Sequence, residues 1–409
     1  MDHSSDRSAQ DGQAPGGDAG LPPGIDRRRF LTRAGLLGAG LGSASLLAAC
    51  GGDSDASVDD QIGGGGATAA AATTAAATAP IRADLRGKSV GCAYLTLADP
   101  NASLINQTFE EASRRAGLDW RFDVVDGQGR PDQAQVGLQS LISKRVDLIY
   151  LEGIPPRLVS SELERARAAG IPVIGGFTAA PLDPLIQFDY AAVLESDSVP
   201  LDFYMLTELN TVHRDKAEIQ VALVDSDLDV VVGRTKLLEA LVALPAYRKV
   251  RIVATQNIDL ADPDGSSSRI AASFLTRFPE LDAIWTNYPN SAIAAANAIS
   301  QKQRAREVAV YGHIANAAGI EALRDPNSPM SATSWIDLVY TAYATLGYML
   351  DVVAGNEVER TVSYTNMVPV TVLGRPTIDE QIPGDGTTWV FGGATYRDGF
   401  VAQWSEKFS

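Results

Sequence analysis

From residue 85 onward the chain alternates between two hydrophobic periods. Short β-branched or apolar runs at 89–95, 122–125, 146–151 and 171–174 are separated by stretches at 104–115, 133–144 and 157–169 whose apolar residues recur every three to four positions. The short runs predict strands and the longer stretches predict amphipathic helices. Strict alternation of the two predicts a parallel α/β sheet covered on both faces, because parallel strands need crossovers and the crossovers lie on the faces. Gly117 and Gly170 stand between a predicted helix and the next strand, where a left-handed residue ends a helix. The pattern resumes with a helix at 197–209, strand 218–224, helix 231–244, strand 250–255, helix 266–277 and strand 283–286. It continues with helix 291–301, strand 308–311, helix 315–323, strand 330–334 and a long helix at 338–353. So many units exceed one core and predict two similar doubly wound lobes.

Ahead of residue 85 the pattern changes. Arg27-Arg28-Arg29-Phe30-Leu31 precedes a mostly apolar run over 34–49 that ends in small residues, the form of an export signal. The run is short and Gly-rich for a membrane-spanning helix. The arginines resemble a twin-arginine signal, although Asp26 stands where Ser or Thr is more usual, so that route and the general one both stay open. Leu47-Ala48-Ala49-Cys50 resembles a bacterial lipobox, which implies cleavage before Cys50, a diacylglyceryl group on its sulfur, and attachment to the outer face of the cytoplasmic membrane. Residues 50–84, mainly Gly, Ala, Thr, Ser and Asp, bury too little apolar surface to fold and read as a flexible tether.

The formal charge is −16, and loss of residues 1–49 leaves it unchanged, because five arginines and five acids go together. An acidic chain with no basic stripe excludes nucleic acid as a partner. Once Cys50 is acylated, Cys92 is the remaining cysteine, so no intrachain disulfide is expected; its apolar surroundings predict a buried structural thiol.

Several stretches together resemble the type I periplasmic binding proteins of ABC importers, in particular the ribose-binding-like group. They are Lys88-Ser89-Val90-Gly91, Asp99-Pro100-Asn101, Ala116-Gly117, and Val146-Asp147-Leu148-Ile149 leading to Ala168-Ala169-Gly170-Ile171-Pro172-Val173-Ile174. Arg234 ahead of Leu237-Leu238-Glu239-Ala240-Leu241, and Asp282-Ala283-Ile284-Trp285, extend the likeness into the second half. The resemblance covers about 85–373. It implies a first lobe of 85–190 plus 337–373, a second lobe of 191–336, a hinge of three strands, and a ligand enclosed when the lobes close. It also implies a monomer that needs no cofactor and hands its ligand to an ABC transporter permease. Residues 374–409, with Trp389, Tyr396 and Trp404, lie beyond the likeness; their aromatics predict packing on a lobe or across the hinge, and their glycines predict loops.

Physical reasoning places the ligand in the same cleft, beyond the carboxyl ends of the parallel strands. The loops there supply Phe177, Trp285, Tyr288 and Trp335 as stacking surfaces, and Asp99, Asn101, Glu152, Asp225, Asn287, Asn290, His313 and Asp337 as polar contacts. The resemblance adds Arg234 as a clamp on ligand hydroxyls. Each has a plainer alternative: Trp285 as a packed core residue, Asp197, Asp264 and Asn290 as helix caps, Arg234 in a surface ion pair. Asp225-Ser226-Asp227-Leu228-Asp229 begins like a calcium loop, but Val230 and Lys236 occupy positions that need Gly and an acid, so no metal is expected.

Three positions depart from the sugar-binding pattern: Gly175-Gly176-Phe177 where Asp is usual, Tyr288-Pro289 for Asn-Asp, and Gly312-His313-Ile314 for Gly-Phe followed by Asp. Fewer fixed acceptors predict a ligand less polar or more aromatic than a simple pyranose, or a sugar read through unfamiliar contacts. An enzyme finds little support: there is no Gly-x-Ser-x-Gly elbow, phosphate-binding glycine loop or His-Glu-x-x-His, and the histidines beyond Cys50 are His213 and His313. A sensory receptor partnering a membrane kinase or chemoreceptor is the alternative that the sequence leaves open.

Overall fold

The computed structural model describes residues 79–178, 191–195, 199–363, 370–382 and 395–409. The export signal, Cys50, most of the tether, Asp197 and Trp389 lie outside these residues.

The first lobe begins with β1 (Ser89–Tyr94), α1 (Pro100–Arg115), β2 (Arg121–Asp126), α2 (Pro131–Lys144), β3 (Leu148–Glu152), α3 (Ser160–Ala168), β4 (Val173–Thr178) and β5 (Ala192–Glu195). The second runs through α4 (Val199–Val212), β6 (Ile219–Asp225), α5 (Asp229–Val242), β7 (Val250–Asn257), α6 (Pro263–Arg277), β8 (Ala283–Thr286), α7 (Ser291–Gln301), β9 (Ala309–Gly312), α8 (Ala317–Arg324) and β10 (Met330–Ile336). The chain returns to the first lobe in α9 (Leu338–Val353) and β11 (Thr361–Ser363). It then goes back to the second sheet in β12 (Val370–Gly374), and ends in the short α10 (Ile378–Gln381) and α11 (Thr395–Phe408).

Two six-stranded sheets result, ordered β11-β5-β4-β3-β1-β2 and β12-β10-β9-β8-β6-β7. All pairings are parallel except β12, which runs antiparallel to β10. The central strand β3 is buried at every residue, as expected of a strand covered on both faces. The chain passes between the sheets three times: after β5, at Asp337, and between β11 and β12. The lobe boundaries therefore differ from expectation at two places. Residues 192–195, assigned from sequence to the second lobe, pair with β4 in the first sheet, and Val370–Gly374, assigned to the first lobe, pairs with β10 in the second.

Local chemistry explains how the helices are set. The α1 helix starts at Pro100 behind the Asp99 cap and ends before Gly117, whose φ of 63° suits glycine. Its buried stripe of Ile105, Phe109 and Ala112 faces the sheet, with the Phe109 ring edge-on to Tyr150 at 5.1 Å. Cys92 lies inside this core, where burial pushes its thiol upward and keeps it protonated. The C-terminal extension packs on the first lobe, as its aromatics predict: α11 lies on α9 and α1, with Trp404 stacked on Tyr343 at 5.8 Å, while the glycines expected in loops, at 384–386 and 392–393, lie outside the described residues. The Tyr396 hydroxyl reaches Asp337 at the second crossing, and the Arg82 N–H donates to Phe408 O at 2.8 Å.

Candidate ligand-binding cleft

The lobes meet at the carboxyl ends of their strands. Asn101 Nδ2 in the first lobe donates to Ile314 O in the second at 3.3 Å. Gly129, in the loop before α2, approaches Leu260 so closely that a Cβ on it would lie 2.1 Å from the Leu260 carbonyl oxygen. One apolar cluster runs without a break from Leu95, Leu151 and Ile154 to Leu228, Val231, Tyr288 and Trp335. This is a closed arrangement of two lobes.

The first lobe contributes acids. Asp99 accepts from the Asn101 N–H at 2.9 Å as the cap of α1; loss of solvent pushes its carboxyl up to about 6 against that hydrogen bond, and Asp264 adds to the rise. Glu152 ends β3, is 8 % exposed, and accepts from the Tyr150 hydroxyl at 2.7 Å. Burial pushes it up to about 8 against that bond, with Asp99 adding to the rise. Its neighbour in register is Gly176, where a Cβ would sit 2.2 Å from the Tyr150 oxygen. The glycine found where the sugar-binding pattern has Asp thus leaves room for a tyrosine that holds an acid one strand away. Phe177, half-buried, follows it at a φ of 45°.

The second lobe contributes a buried network. Arg234 Nη1 donates to Asn287 O at 2.7 Å, and Asn287 Nδ2 donates to Thr235 Oγ1 at 2.7 Å. The Thr235 hydroxyl donates to Asp225 Oδ2 at 2.5 Å, and Trp285 Nε1 donates to Asn287 Oδ1 at 3.1 Å. Burial lowers the Arg234 guanidinium to about 10 while Asp202 and Asp225 hold it up, so it stays charged at neutral pH. His313 Nε2 lies 2.8 Å from Asp202 Oδ1 and its Nδ1 lies 3.3 Å from Ser334 Oγ.

These positions sort the expected site residues. Asp99, Glu152 and Tyr288 lie within electrostatic reach of one another. Asn101 closes the lobes, and Arg234, Asp225 and Asn287 form one hydrogen-bonded group. Trp285 is not a stacking platform: it is fully buried, stacked on Tyr311 at 5.5 Å, and serves to hold Asn287. Trp335 is 7 % exposed within the continuous apolar cluster. Asp337 caps α9 by accepting from the Tyr340 N–H at 2.9 Å. Asp264 was read as a cap, but Asp262 caps α6 and the exposed Asp264 lines a cavity; Asn290 precedes α7 without capping it and accepts from Asn316 Nδ2 at 3.0 Å. Sequence reasoning missed Asp202, a buried acid in the first turn of α4; its signal was one carboxylate among the apolar residues of that turn.

A cavity of about 380 Å³, with Asp264 in its lining, opens between Ala98 and Pro100 of the first lobe and the start of α6, with α7 and α8, of the second. Such a volume suits a small ring compound.

The family model described as "Periplasmic binding protein domain" matches residues 95–357. No curated protein matches the chain. Among solved structures, the fold is similar to an ABC transporter solute binding protein from Agrobacterium vitis with bound allitol, at 18% identity and a TM-score of 0.63, covering 73% of this chain and 98% of that one. A solute binding protein from Bacillus halodurans C-125 with bound myo-inositol matches at 18% identity and 0.62, over 73% and 99%. The 5-methylthioribose transporter solute binding protein from Thermotoga lettingae matches at 14% identity and 0.65, over 77% and 98%. With more than half its length matched by the family model, and two doubly wound lobes closed over a polar cleft, the chain belongs to the periplasmic binding protein family and has its type I fold.

Proposed function

We propose that the protein is an extracytoplasmic solute-binding lipoprotein, anchored through Cys50, that captures a sugar-like molecule between its lobes and delivers it to the permease of an ABC transporter. The observation that carries this reading is the closure itself: Asn101 to Ile314 and Gly129 to Leu260 bring the lobes together, and a cavity lies between Ala98 and Pro100 of the first and Asp264, Ser268, Asn297 and Asn316 of the second. A ligand touching both walls favours the closed form and so presents a surface that the open form lacks. The structural neighbours carry allitol, myo-inositol and 5-methylthioribose, which supports a small polyhydroxylated ligand here. With Trp285 and Trp335 packed inside, the cleft favours a sugar read through unfamiliar contacts over an aromatic compound. His313 supports binding over catalysis, because both ring nitrogens face protein partners and the residue is fully buried. Calorimetric titration of the exported chain with pentoses, hexoses, polyols, cyclitols and their amino derivatives tests the reading. Saturable one-to-one binding of a member of the panel is expected; silence across it overturns the assignment.

A further inference from the structure

We infer that the first lobe holds a second binding site, in the cavity between α9 and α11, and that this site takes a single-ring aromatic compound carrying a carbonyl oxygen. The cavity measures about 220 Å³ and shares no lining residue with the one at the cleft. Tyr340 meets Phe400 at 4.9 Å near its start and Asp351 meets Lys407 at 2.7 Å near its end, so the two helices run side by side and parallel. Between these contacts α9 presents only Ala344 and Gly347 on the side where α11 presents Trp404, and the gap between small residues and indole is the cavity. Trp404 supplies the sign of a missing partner. It is 3 % exposed, and its N–H makes no hydrogen bond among the described residues. The buried indoles of Trp120 and Trp285, by contrast, donate to Leu85 O at 2.7 Å and to Asn287 Oδ1 at 3.1 Å.

A buried donor without an acceptor is destabilising, and so is a glycine in the middle of a helix. Both occur at one point of this wall: a Cβ on Gly347 would lie 3.0 Å from Trp404 Nε1. An acceptor oxygen on a ligand would satisfy the indole. The rest of the lining sets the class of that ligand. Tyr340, Tyr348, Phe400 and Phe408 add four rings, and another ring packs well edge-on or offset against such walls. The Tyr340 and Tyr348 hydroxyls also make no hydrogen bond among the described residues, so donors are in surplus. The carboxylate in the lining, Asp351, is already held by Lys407 at 2.8 Å and by Asn356 Nδ2 at 2.8 Å. A sugar brings a donor on every hydroxyl and would add to that surplus. An aromatic ketone or aldehyde brings a ring for the walls and acceptor lone pairs for the indole N–H, with no donor of its own.

The test is a matched pair on the whole exported chain: acetophenone and α-methylstyrene, which share a shape and differ in carrying C=O or C=CH2. Ligand-observed nuclear magnetic resonance gives both affinities. Acetophenone is expected to bind roughly 2- to 10-fold more tightly, the range of one neutral hydrogen bond. Trp404→Phe keeps a ring and removes the N–H, so it should erase the preference while α-methylstyrene still binds. Gly347→Ala favours the helix and crowds the indole nitrogen, so it should weaken acetophenone by a similar factor in a protein whose melting curve shows it folded; it carries the test if Trp404→Phe fails to fold. Equal affinity for the two compounds, or no binding of either, overturns the inference. So does acetophenone binding that both variants leave unchanged, which would place the compound elsewhere, the cleft included. None of these outcomes bears on solute capture, because no residue altered lines the cleft cavity.

Discussion

Replacing Gly129 by alanine should hold the lobes apart without unfolding either of them. The Gly129 N–H donates to Leu95 O at 2.8 Å and the residue has a φ of 70°, so the loop cannot simply retreat. In the closed form the new Cβ would meet the Leu260 carbonyl oxygen at 2.1 Å, about 1 Å inside any tolerable contact, and both atoms belong to backbone. Relieving such an overlap costs about 1–3 kcal/mol, which weakens ligand binding roughly 5- to 150-fold because closure is coupled to binding. The open form has no such overlap. It bears the strain of a left-handed alanine, about 1 kcal/mol, so the ligand-free melting temperature should fall by a few degrees at most. Titration calorimetry gives the affinity, and small-angle scattering gives the compaction on adding ligand. Unchanged affinity with unchanged compaction would refute the idea that this contact gates closure; a large fall in ligand-free stability would show that the glycine serves the first lobe alone.

Other outcomes follow from particular contacts. The folded-state carboxyl of Glu152 lies near 8, above its unfolded value, so its contribution is present at low pH and is lost as pH rises from about 4.5 through 8, at no more than about 1.4 kcal/mol per unit. Melting curves of the ligand-free protein should show this decline flattened in Glu152→Gln, and an identical pH profile would contradict the assignment. Asp202→Ala strips the fully buried His313 of its acid and should destabilise the second lobe by about 3 kcal/mol in urea titrations, near the lower end for broken buried pairs. Trp404→Ala removes a side chain stacked on Tyr343 and 3 % exposed, and should cost about 3–5 kcal/mol, measured the same way. In cell fractionation Cys50→Ser should move the exported protein from the membrane to the soluble fraction; continued membrane association would contradict the lipid anchor.

The alternation of periods located most strands to within a few residues, because buried parallel strands and amphipathic helices differ in the spacing of their apolar positions. Ala283–Thr286 and Leu338–Val353 match their expected bounds residue for residue. Three strands, β5, β11 and β12, did not show themselves. In β5 and β11 the hydrophobic run is too short to display a period, and they are strands because a neighbour in the sheet supplies hydrogen bonds. The side of the sheet to which β12 belongs is likewise a property of the crossing before it. The cleft acids were legible as charged residues at strand ends. What was not legible is whether a residue faces the cleft or the core: Trp285 turns inward because Tyr311, 26 positions away, offers it a stacking partner. Arg234 is fixed in the same way by the carbonyl of Asn287, which no spacing rule connects to it.

The hydrogen bond from Arg82 to Phe408 brings the start and the end of the folded part side by side, away from the cleft that β1, β3 and β4 point into. Chains whose ends nearly touch tolerate circular permutation, since a short linker can replace the old termini. Joining 408 to 82 and reopening the chain at 302–306, an exposed or half-buried turn between α7 and β9, would move the free ends onto the second lobe. With one fluorophore there and another in the new linker on the first lobe, the distance between dyes would change as the cleft shuts. The same backbone that closes on its solute is therefore laid out to become a reporter of that solute.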